Sequence, residues 1–191
     1  MKILIELTGT TPLCMHNPRL ADHEDVFTRQ IKKLSAMKKK TDDVHSQIGE
    51  LEFKGGLHHS DQLGPVVPGW AIKKMLIVAG RMSKNGTDID RALLMDEIEY
   101  PVIYKGPRTI EGLWADKRFV YRAQVVVGRS RVTRVRPRFH EWSVEATAFL
   151  DDERMDIDLL RKVLAEAGRY VGFLEARQLG NGRFEGTATE R

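Results

Sequence analysis

The sequence contains a single cysteine, Cys14, among its 191 residues. One cysteine excludes an internal disulfide and a cysteine-based zinc cluster, and it is typical of a protein in a reducing compartment. The sequence also has no apolar run near the roughly 18 residues that span a bilayer. The run from Ile3 to Leu7 is too short, and too interrupted by Glu6, for a signal peptide. These absences predict a cytoplasmic protein with no membrane partner.

The sequence lacks the short motifs that mark common catalytic sites. It has no G-x-S-x-G, no G-x-x-x-x-G-K-S/T and no paired Cys and His arrangement. Several histidines and acids fall between positions 38 and 66, but their spacing matches no recognised ligand pattern. They are His45, His58, His59, Asp42, Asp43, Glu50, Glu52 and Asp61. We therefore predict no catalytic residues, no metal site and no cofactor.

The composition predicts a folded chain with a modest positive charge. Apolar residues make up 41% of the sequence and charged residues 30%, which is enough apolar surface for a core and too mixed in charge for a disordered chain. The length suits one domain over 1–191, with insertions at about 38–66 and 105–140. A formal charge of +4 only mildly favours anionic partners, so the distribution of the charges matters more.

Apolar periodicity predicts both strands and helices. The first half of the chain predicts a strand at 2–8, a helix at 21–37, an irregular loop region at 38–63 and a helix at 68–82. The second half predicts a strand at 98–104, a long hairpin of strands 119–127 and 132–150 that turns at 128–130, a helix at 156–170 and a strand at 183–188. This order approximates a β-α-β-β-α-β, ferredoxin-like (RRM-like) palm. The predicted fold class is therefore α+β, with an inserted loop region and a protruding β-hairpin.

The stretch from Lys117 to Arg138 contains eight basic residues and no Asp or Glu. In an extended strand Arg134, Arg136 and Arg138 share one face, roughly 6.5 to 7 Å apart, near the phosphate spacing of a stretched single strand. Arginine also suits bidentate phosphate contacts. Three nearby aromatic side chains offer flat surfaces for base stacking: Phe119, Tyr121 and Phe139. The alternative is an exposed hairpin face whose arginines pair with acids elsewhere.

No acid interrupts the region between Val26 and Thr41, which holds a second basic cluster. Its members are Arg29, Lys32, Lys33, Lys38, Lys39 and Lys40. Lysines there would act as screened point charges on a phosphate backbone and would not read sequence. The alternative is a Lys-rich helix face that is merely solvated.

A glycine-rich segment, Gly172 to Phe184, directly follows the last predicted helix and includes Arg177 and Arg183. Glycines permit positive φ and close backbone approach, so successive amides of such a loop can line a phosphate. A simple turn is the alternative.

Two local patterns resemble those of one known family. The first is Val67-Pro68-Gly69-Trp70-Ala71-Ile72-Lys73-Lys74-Met75-Leu76 followed by Gly80-Arg81, and the second is the glycine-rich segment with its ending Gly182-Arg183-Phe184. Together they resemble the RAMP superfamily, the ferredoxin-like proteins that include the backbone subunits of CRISPR effector complexes. The first is similar to that family's Pro-Gly-Ser-Ser-Leu-Lys-Gly helix start. The sequence departs from it at Trp70 and Ala71, where small hydroxyl residues are usual, and at Lys74, where glycine is usual.

The resemblance implies a ferredoxin-like palm, a hairpin arm at Phe119 to Leu150, and side-by-side assembly of copies along RNA. It also implies that Lys73 and Lys74 lie beside the bound strand. The glycine-rich loop would touch that strand or the next subunit. The short chain favours a solitary relative encoded by a phage or mobile element, which would act in the host cytoplasm.

We therefore expect a non-enzymatic protein that binds single-stranded RNA or DNA largely independently of sequence and assembles as a homo-oligomer or filament. The residues expected to bind nucleic acid are Lys38, Lys39, Lys40, Lys73, Lys74, Arg122, Arg129, Arg131, Arg134, Arg136, Arg138, Arg177 and Arg183. Two alternatives stay open. One is a metal-dependent ribonuclease of the RAMP type that uses Asp42, Asp43 and His45; the other is a structural or inhibitor protein that binds an acidic protein partner.

Overall fold

The computed structural model describes residues 1–128 and 130–191, so the predicted site residue Arg129 lies outside the described residues. The strands are β1 (Lys2–Gly9), β2 (Leu13–Cys14), β3 (His59–Ser60), β4 (Gly64–Pro68), β5 (Leu93–Met95), β6 (Glu99–Pro101), β7 (Val120–Val127), β8 (Ser130–Phe139), β9 (Ser143–Leu150) and β10 (Phe184–Glu190). The α-helices are α1 (Val26–Ser35), α2 (Asp42–Gly56), α3 (Gly69–Gly80), α4 (Gly86–Ala92), α5 (Ile110–Ala115) and α6 (Ile157–Glu166). The chain is thus mixed α+β, as predicted. Every helix in this part of the chain is too short or too polar to cross a lipid bilayer.

The chain folds as two units, each assembled from separate segments. Unit 1 comprises Met1–Leu13, Ser60–Lys105 and His140–Arg191. Unit 2 comprises Cys14–His59 and Gly106–Phe139. Most of both predicted insertions lies in unit 2.

Unit 1 is built on a four-stranded sheet with the order β10-β1-β9-β5, and each neighbouring pair is antiparallel. Ile3, Ile5 and Leu7 point to one side of β1 and are completely buried, as their alternation predicts. Ile5 lies opposite Ala146 of β9 and Ala188 of β10. The apolar pattern fixes this register, because a slip by one residue would move these side chains out of the core.

Helices α3 and α6 supply much of the remaining core of unit 1. Ile72 and Leu76 of α3 and Leu160 and Leu164 of α6 are all fully buried. The Asp156 side chain accepts a hydrogen bond from the Asp158 amide at 2.7 Å and so caps the start of α6. The helices predicted at 68–82 and 156–170 are confirmed, and α6 continues as a π-helical turn over Ala167–Val171.

Strand β6 is shorter than the strand predicted at 98–104. It pairs antiparallel with β4, with Val67 opposite Tyr100, and ends at Pro101. One further bond joins the two segments, because the Val102 amide donates to the Pro65 carbonyl at 2.9 Å, and Pro65 has no amide hydrogen with which to return it. The Tyr100 hydroxyl donates to the Thr147 carbonyl at 2.5 Å, which ties β6 to β9 within unit 1.

Helix α2 of unit 2 replaces the irregular loop region that the sequence predicts at 38–63. The Thr41 side chain accepts a hydrogen bond from the Val44 amide, and Asp42 and Asp43 suit the positive end of the helix dipole. The glycines suggested a loop, but they sit where α2 approaches its neighbours closely. A Cβ at Gly49 would lie 2.9 Å from Val135 Cγ2 of β8, so glycine permits this packing.

The predicted strand at 132–150 is two strands in different sheets. Strand β8 lies between β2 and β7 in a three-stranded sheet, whereas β9 lies between β1 and β5 in unit 1. Buried apolar residues fall at odd positions in β8, as at Val135 and Phe139, and at even positions in β9, as at Val144, so the alternation changes phase at the break. The hairpin therefore comprises only Val120–Val127 and Ser130–Phe139.

Helix α1 begins later than the predicted helix at 21–37. The Asp25 side chain accepts from the Phe27 amide at 2.9 Å and caps the start of α1, after a 3-10 turn over Pro18–Ala21. Arg19 binds the same Asp25 carboxylate at 2.8 Å. The Asp25 cap determines where α1 begins. Few residues of this helix are buried, so apolar burial does not define its start.

Candidate nucleic-acid interface

The charges of the chain are divided unequally between the two units. Unit 2 contains 17 Lys and Arg against nine Asp and Glu, a formal charge of +8. Unit 1 contains 14 Lys and Arg against 18 Asp and Glu, a formal charge of −4. The net charge of +4 therefore conceals a strongly basic unit, which attracts polyanions far more than the whole chain would suggest.

Strand β8 places three arginines of unit 2 on one face of the hairpin. Val135, Pro137 and Phe139 are buried on the other side of the strand. Arg134, Arg136 and Arg138 alternate with them, as the sequence pattern predicts. Successive arginines on this face are about 6.8 Å apart along the strand.

The Arg134 side chain is held by an acid from elsewhere in unit 2. Its guanidinium donates to Glu52 Oε1 of α2 at 2.5 Å. The second oxygen of Glu52 accepts from the Val135 amide at 2.8 Å. Glu52 is only 4% exposed, whereas the Arg134 side chain is 35% exposed, so water is excluded from the carboxylate side of the pair only. At Arg134 the alternative prediction of pairing with a distant acid is therefore confirmed.

Arg136 and Arg138 carry their charge without a carboxylate partner among the described residues. Arg136 lies directly opposite Tyr121 of β7. The guanidinium of Arg138 lies 4.1 Å from the centre of the Tyr121 ring, a cation–π geometry. The Nε atom of Arg138 is buried with no hydrogen-bond partner in the described part of the chain. This row of two arginines around one tyrosine is the least neutralised part of the arginine face.

Two of the three predicted stacking aromatics are core residues. Phe119 and Phe139 are 6% and 0% exposed and pack with ring centres 5.5 Å apart. Neither can receive a base without unfolding the core, so the prediction for these two side chains is wrong. Alternation and aromatic character were insufficient to tell them from Tyr121, which is half-buried.

The remaining basic residues predicted in unit 2 are exposed. Arg122 of β7 and Arg131 of β8 are exposed. Lys38, Lys39 and Lys40 are exposed in the connection between α1 and α2. No carboxylate lies within ion-pair distance of these five residues in the part of the chain that the structure describes. They extend the uncompensated charge of unit 2 beyond the arginine face.

The basic residues predicted in unit 1 are in different surroundings. Lys73 donates to the Asp90 carbonyl at 2.7 Å and lies 3.3 Å from its carboxylate. Lys74 and Arg177 are exposed. One guanidinium nitrogen of Arg183 is buried with no hydrogen-bond partner among the described residues. These side chains lie in the unit that carries the negative net charge.

The amides of the glycine-rich loop are already occupied within unit 1. The Gly182 amide donates to the Pro12 carbonyl and the Phe173 amide donates to the Gly182 carbonyl, both at 2.8 Å. The Arg183 amide donates to the Thr11 hydroxyl at 2.8 Å. Gly182 has φ +72°, and a Cβ there would overlap the Phe173 backbone. Gly182 thus serves close packing and these three amides already have acceptors, so the prediction that these amides line a phosphate is wrong.

Two histidines of unit 2 are kept neutral by their surroundings. Burial lowers the pKa of His58 to about 4. Burial, together with the charges of Arg136, His58 and Arg134, lowers the pKa of His16 to about 4. No motif or periodicity of the sequence marks His16, which lies two residues after the end of β2. The buried Glu52 was considered only as a metal ligand.

The acids and histidines at 38–66 are not gathered into a ligand set. Among the described residues, no three His, Cys, Asp or Glu side chains are close enough to hold a metal ion. Asp43 accepts a hydrogen bond from Gln47 at 2.7 Å on the surface of α2, and Glu52 is engaged with Arg134. This geometry offers no support for the metal-dependent ribonuclease alternative.

Comparison with known proteins adds no relative to this picture. No family model matches the sequence, and a search of curated proteins finds no significant match.

Proposed function

We propose that unit 2 binds single-stranded nucleic acid through its phosphate backbone, largely independently of base sequence. The formal charge of +8 on unit 2 carries this proposal. Neutralised phosphates release condensed counterions, and that release drives sequence-independent binding. A unit with 17 basic residues against nine acids is suited to it.

The hairpin provides the proposed path of the strand. Arg136 and Arg138 flank Tyr121, and the arginine spacing of about 6.8 Å suits consecutive phosphates of an extended strand. Guanidinium groups bind phosphate oxygens bidentately, and Tyr121 offers part of one ring for a base. Arg134 adds to the electrostatic potential and to the shape of this surface but does not bind phosphate directly, because Glu52 already binds its guanidinium.

The topology of unit 1 supports a ferredoxin-like palm as part of the proposal. With the elements between them left out, β1, α3, β5, β9, α6 and β10 have the order β-α-β-β-α-β, and the sheet order is β10-β1-β9-β5. The RAMP-like patterns lie in α3 and in the glycine-rich loop of this same unit. In this proposal the protein is non-enzymatic and assembles along its strand in the cytoplasm.

Binding of labelled RNA and DNA oligonucleotides, followed by fluorescence anisotropy, tests the proposal. The variant Arg136→Glu with Arg138→Glu reverses the two charges that flank Tyr121. Its affinity should fall at least about tenfold, because each lost charged contact is worth about 1.5 kcal/mol or more. The variant Lys105→Glu with Lys162→Glu makes the same change of charge at exposed positions of unit 1 and should fall much less.

Two results would contradict the proposal. Absence of binding to any single strand at low salt would remove nucleic acid as the partner and would favour an acidic protein instead. An equal loss of affinity in both double variants would show that only the total charge matters and that the hairpin is not the interface. Circular dichroism of both variants establishes that they remain folded.

A further inference from the structure

A cavity of about 320 Å³ lies within unit 2 beside the arginine face. Its polar lining comes from four parts of the unit: His16 after β2, Thr28 and Lys32 of α1, Glu52 of α2, and Arg134 and Arg136 of β8. Leu20 and Ile31 complete much of the wall. The volume is at the lower end of that of ligand pockets, which are mostly apolar with few polar groups. This cavity differs from them in its concentration of charge.

The lining carries two positive charges in excess. Lys32, Arg134 and Arg136 are cations, and Glu52 is the one carboxylate among the lining residues. The Glu52 carboxylate is neutralised by Arg134, whose guanidinium nitrogen lies 2.5 Å from Glu52 Oε1. The Lys32 ammonium donates to His23 Nδ1 at 2.8 Å, which leaves its charge unneutralised. Arg136 has no ion-pair partner among the described residues. An anion with a charge of about −2 would therefore neutralise the excess charge of the cavity.

His16 adds an unpaired hydrogen-bonding atom to the same cavity. Its Nδ1 atom is buried and has no partner within the described chain. A buried polar atom without a partner is costly and rare in folded proteins, so its presence calls for a missing ligand or water. The groups that surround His16 are Arg134 and Arg136 of β8, Lys32 of α1, Glu52 of α2 and His58, which follows α2.

We infer that this cavity binds a phosphate dianion, inorganic phosphate or a terminal phosphate monoester, with Arg136 and Lys32 on its oxygens and His16 Nδ1 as a hydrogen-bond partner. A phosphate monoester carries a charge of about −1.5 to −2 at pH 7, which matches the excess of two positive charges. Its tetrahedral oxygens can meet donors that converge from α1, β8 and the segment after β2. A planar carboxylate is satisfied by one guanidinium and would leave the other donors unused.

Two sources supply this chemistry: free phosphate, or the terminal phosphate of a nucleic-acid strand. The inference extends beyond the proposed function because inorganic phosphate alone is a sufficient ligand. The bound dianion would also reverse the field at His16. Its negative charge favours the protonated imidazole, so the pKa of His16 should rise on binding from its present value of about 4.

A histidine-detected NMR titration with inorganic phosphate tests the inference. The His16 ring signals, assigned by their loss in His16→Gln, should shift and saturate. Arg136→Gln should weaken phosphate binding about tenfold, the effect of losing one charged hydrogen-bonding group. Arg136→Lys should weaken it less. Arg91→Gln, at an exposed arginine of α4 in unit 1, serves as the control and should bind as the unchanged protein does.

Oligonucleotide competition identifies the source of the phosphate. If a 5′-phosphorylated strand displaces inorganic phosphate from His16 and the 5′-hydroxyl strand does not, the site binds strand ends. If neither displaces it while phosphate still saturates, the site binds free phosphate. Absence of a saturable His16 shift would overturn the inference, even if oligonucleotides bind elsewhere on unit 2. An equal weakening by Arg91→Gln and Arg136→Gln would overturn it as well.

Discussion

Glu52 joins helix α2 to strand β8 through two separate hydrogen bonds. One carboxylate oxygen accepts from the Arg134 guanidinium and the other from the Val135 amide. The Val135 amide is buried, so without Glu52 it would lose its hydrogen-bond acceptor. A single carboxylate therefore both satisfies the backbone of β8 and holds one member of the arginine face in place.

Replacement of Glu52 by alanine should destabilise the protein by about 2 to 4 kcal/mol, since it leaves a buried amide and a partly buried guanidinium unpaired. Urea unfolding measures this change. Glu50→Ala provides the matched control on the same helix, because within the described residues Glu50 makes only a surface i,i+4 ion pair with Lys54. That control should lose about 0.5 kcal/mol or less. Equal losses in the two variants would contradict the role of Glu52.

The buried His58 should make stability depend on pH. Its pKa is about 4 in the folded protein because of burial, whereas an unfolded histidine titrates near 6.5. Above pH 6.5 both states are neutral and stability is at its full value. Between pH 6.5 and 4 the unfolded state binds a proton that the folded state does not, so the free energy of unfolding falls, by at most about 3 kcal/mol from this residue.

Urea unfolding at several pH values checks this dependence with two histidine variants. His58→Gln should show a shallower fall between pH 6.5 and 4. His45→Gln, at an exposed position of α2, should keep the full slope. Asp96 and Asp116 do not confuse the result, because hydrogen bonds from Lys2 and Arg118 lower their pKa and restrict their effect to more acidic solutions. A parallel fall for His58→Gln and the unchanged protein would refute a neutral buried His58.

At the scale of elements, α2 depends on glycine for its contact with β8. Glycine to alanine in an exposed helix stabilises it by roughly 0.5 to 1 kcal/mol. At Gly49 the sign should reverse, because the new Cβ would lie 2.9 Å from Val135 Cγ2. We expect Gly49→Ala to destabilise the protein by about 1 to 3 kcal/mol, as overpacking does.

A double variant separates overpacking from helix propensity. Val135→Ala removes the methyl group that the new Cβ would strike, so Gly49→Ala should cost much less in that background. Urea unfolding of the four proteins in this cycle gives the coupling energy. A coupling near zero, or a stabilising Gly49→Ala, would contradict close packing of α2 on β8.

Strong periodicity allowed several elements to be predicted from the sequence. The alternation of Ile3, Ile5 and Leu7 predicted β1, and the helical stripes predicted α3 and α6. Helix α2 was missed because glycines at its packing surface resemble loop residues. The break between β8 and β9 was missed because β-branched and aromatic residues are frequent on both sides of it, although the apolar alternation changes phase between Phe139 and Val144.

The candidate site was predicted only in part, because local patterns show which residues share a face but not which distant residues contact them. Alternation placed Arg134, Arg136 and Arg138 on one face, and charge counting identified the stretch around them. The engagement of Arg134 by Glu52, 82 positions away, depends on tertiary contact that no local pattern contains. Burial of Phe119 and Phe139 also depends on tertiary contacts.

At the scale of the whole molecule, the division of charge is the feature that bears most on function. Unit 2 carries +8 and unit 1 carries −4. A polyanion is attracted to the first and repelled by the second. Binding should therefore be confined to unit 2 and should weaken strongly with salt.

The salt dependence of oligonucleotide affinity tests this account most directly. The logarithm of the association constant should fall linearly with the logarithm of salt concentration, with a slope of about −0.7 per phosphate neutralised on a single strand. Arg136→Glu with Arg138→Glu should reduce the magnitude of that slope by roughly 1.4, the share of two phosphates, whereas Lys105→Glu with Lys162→Glu should leave it unchanged. A slope that is near zero, or equal in the unchanged protein and the hairpin variant, would contradict backbone binding at the hairpin of unit 2.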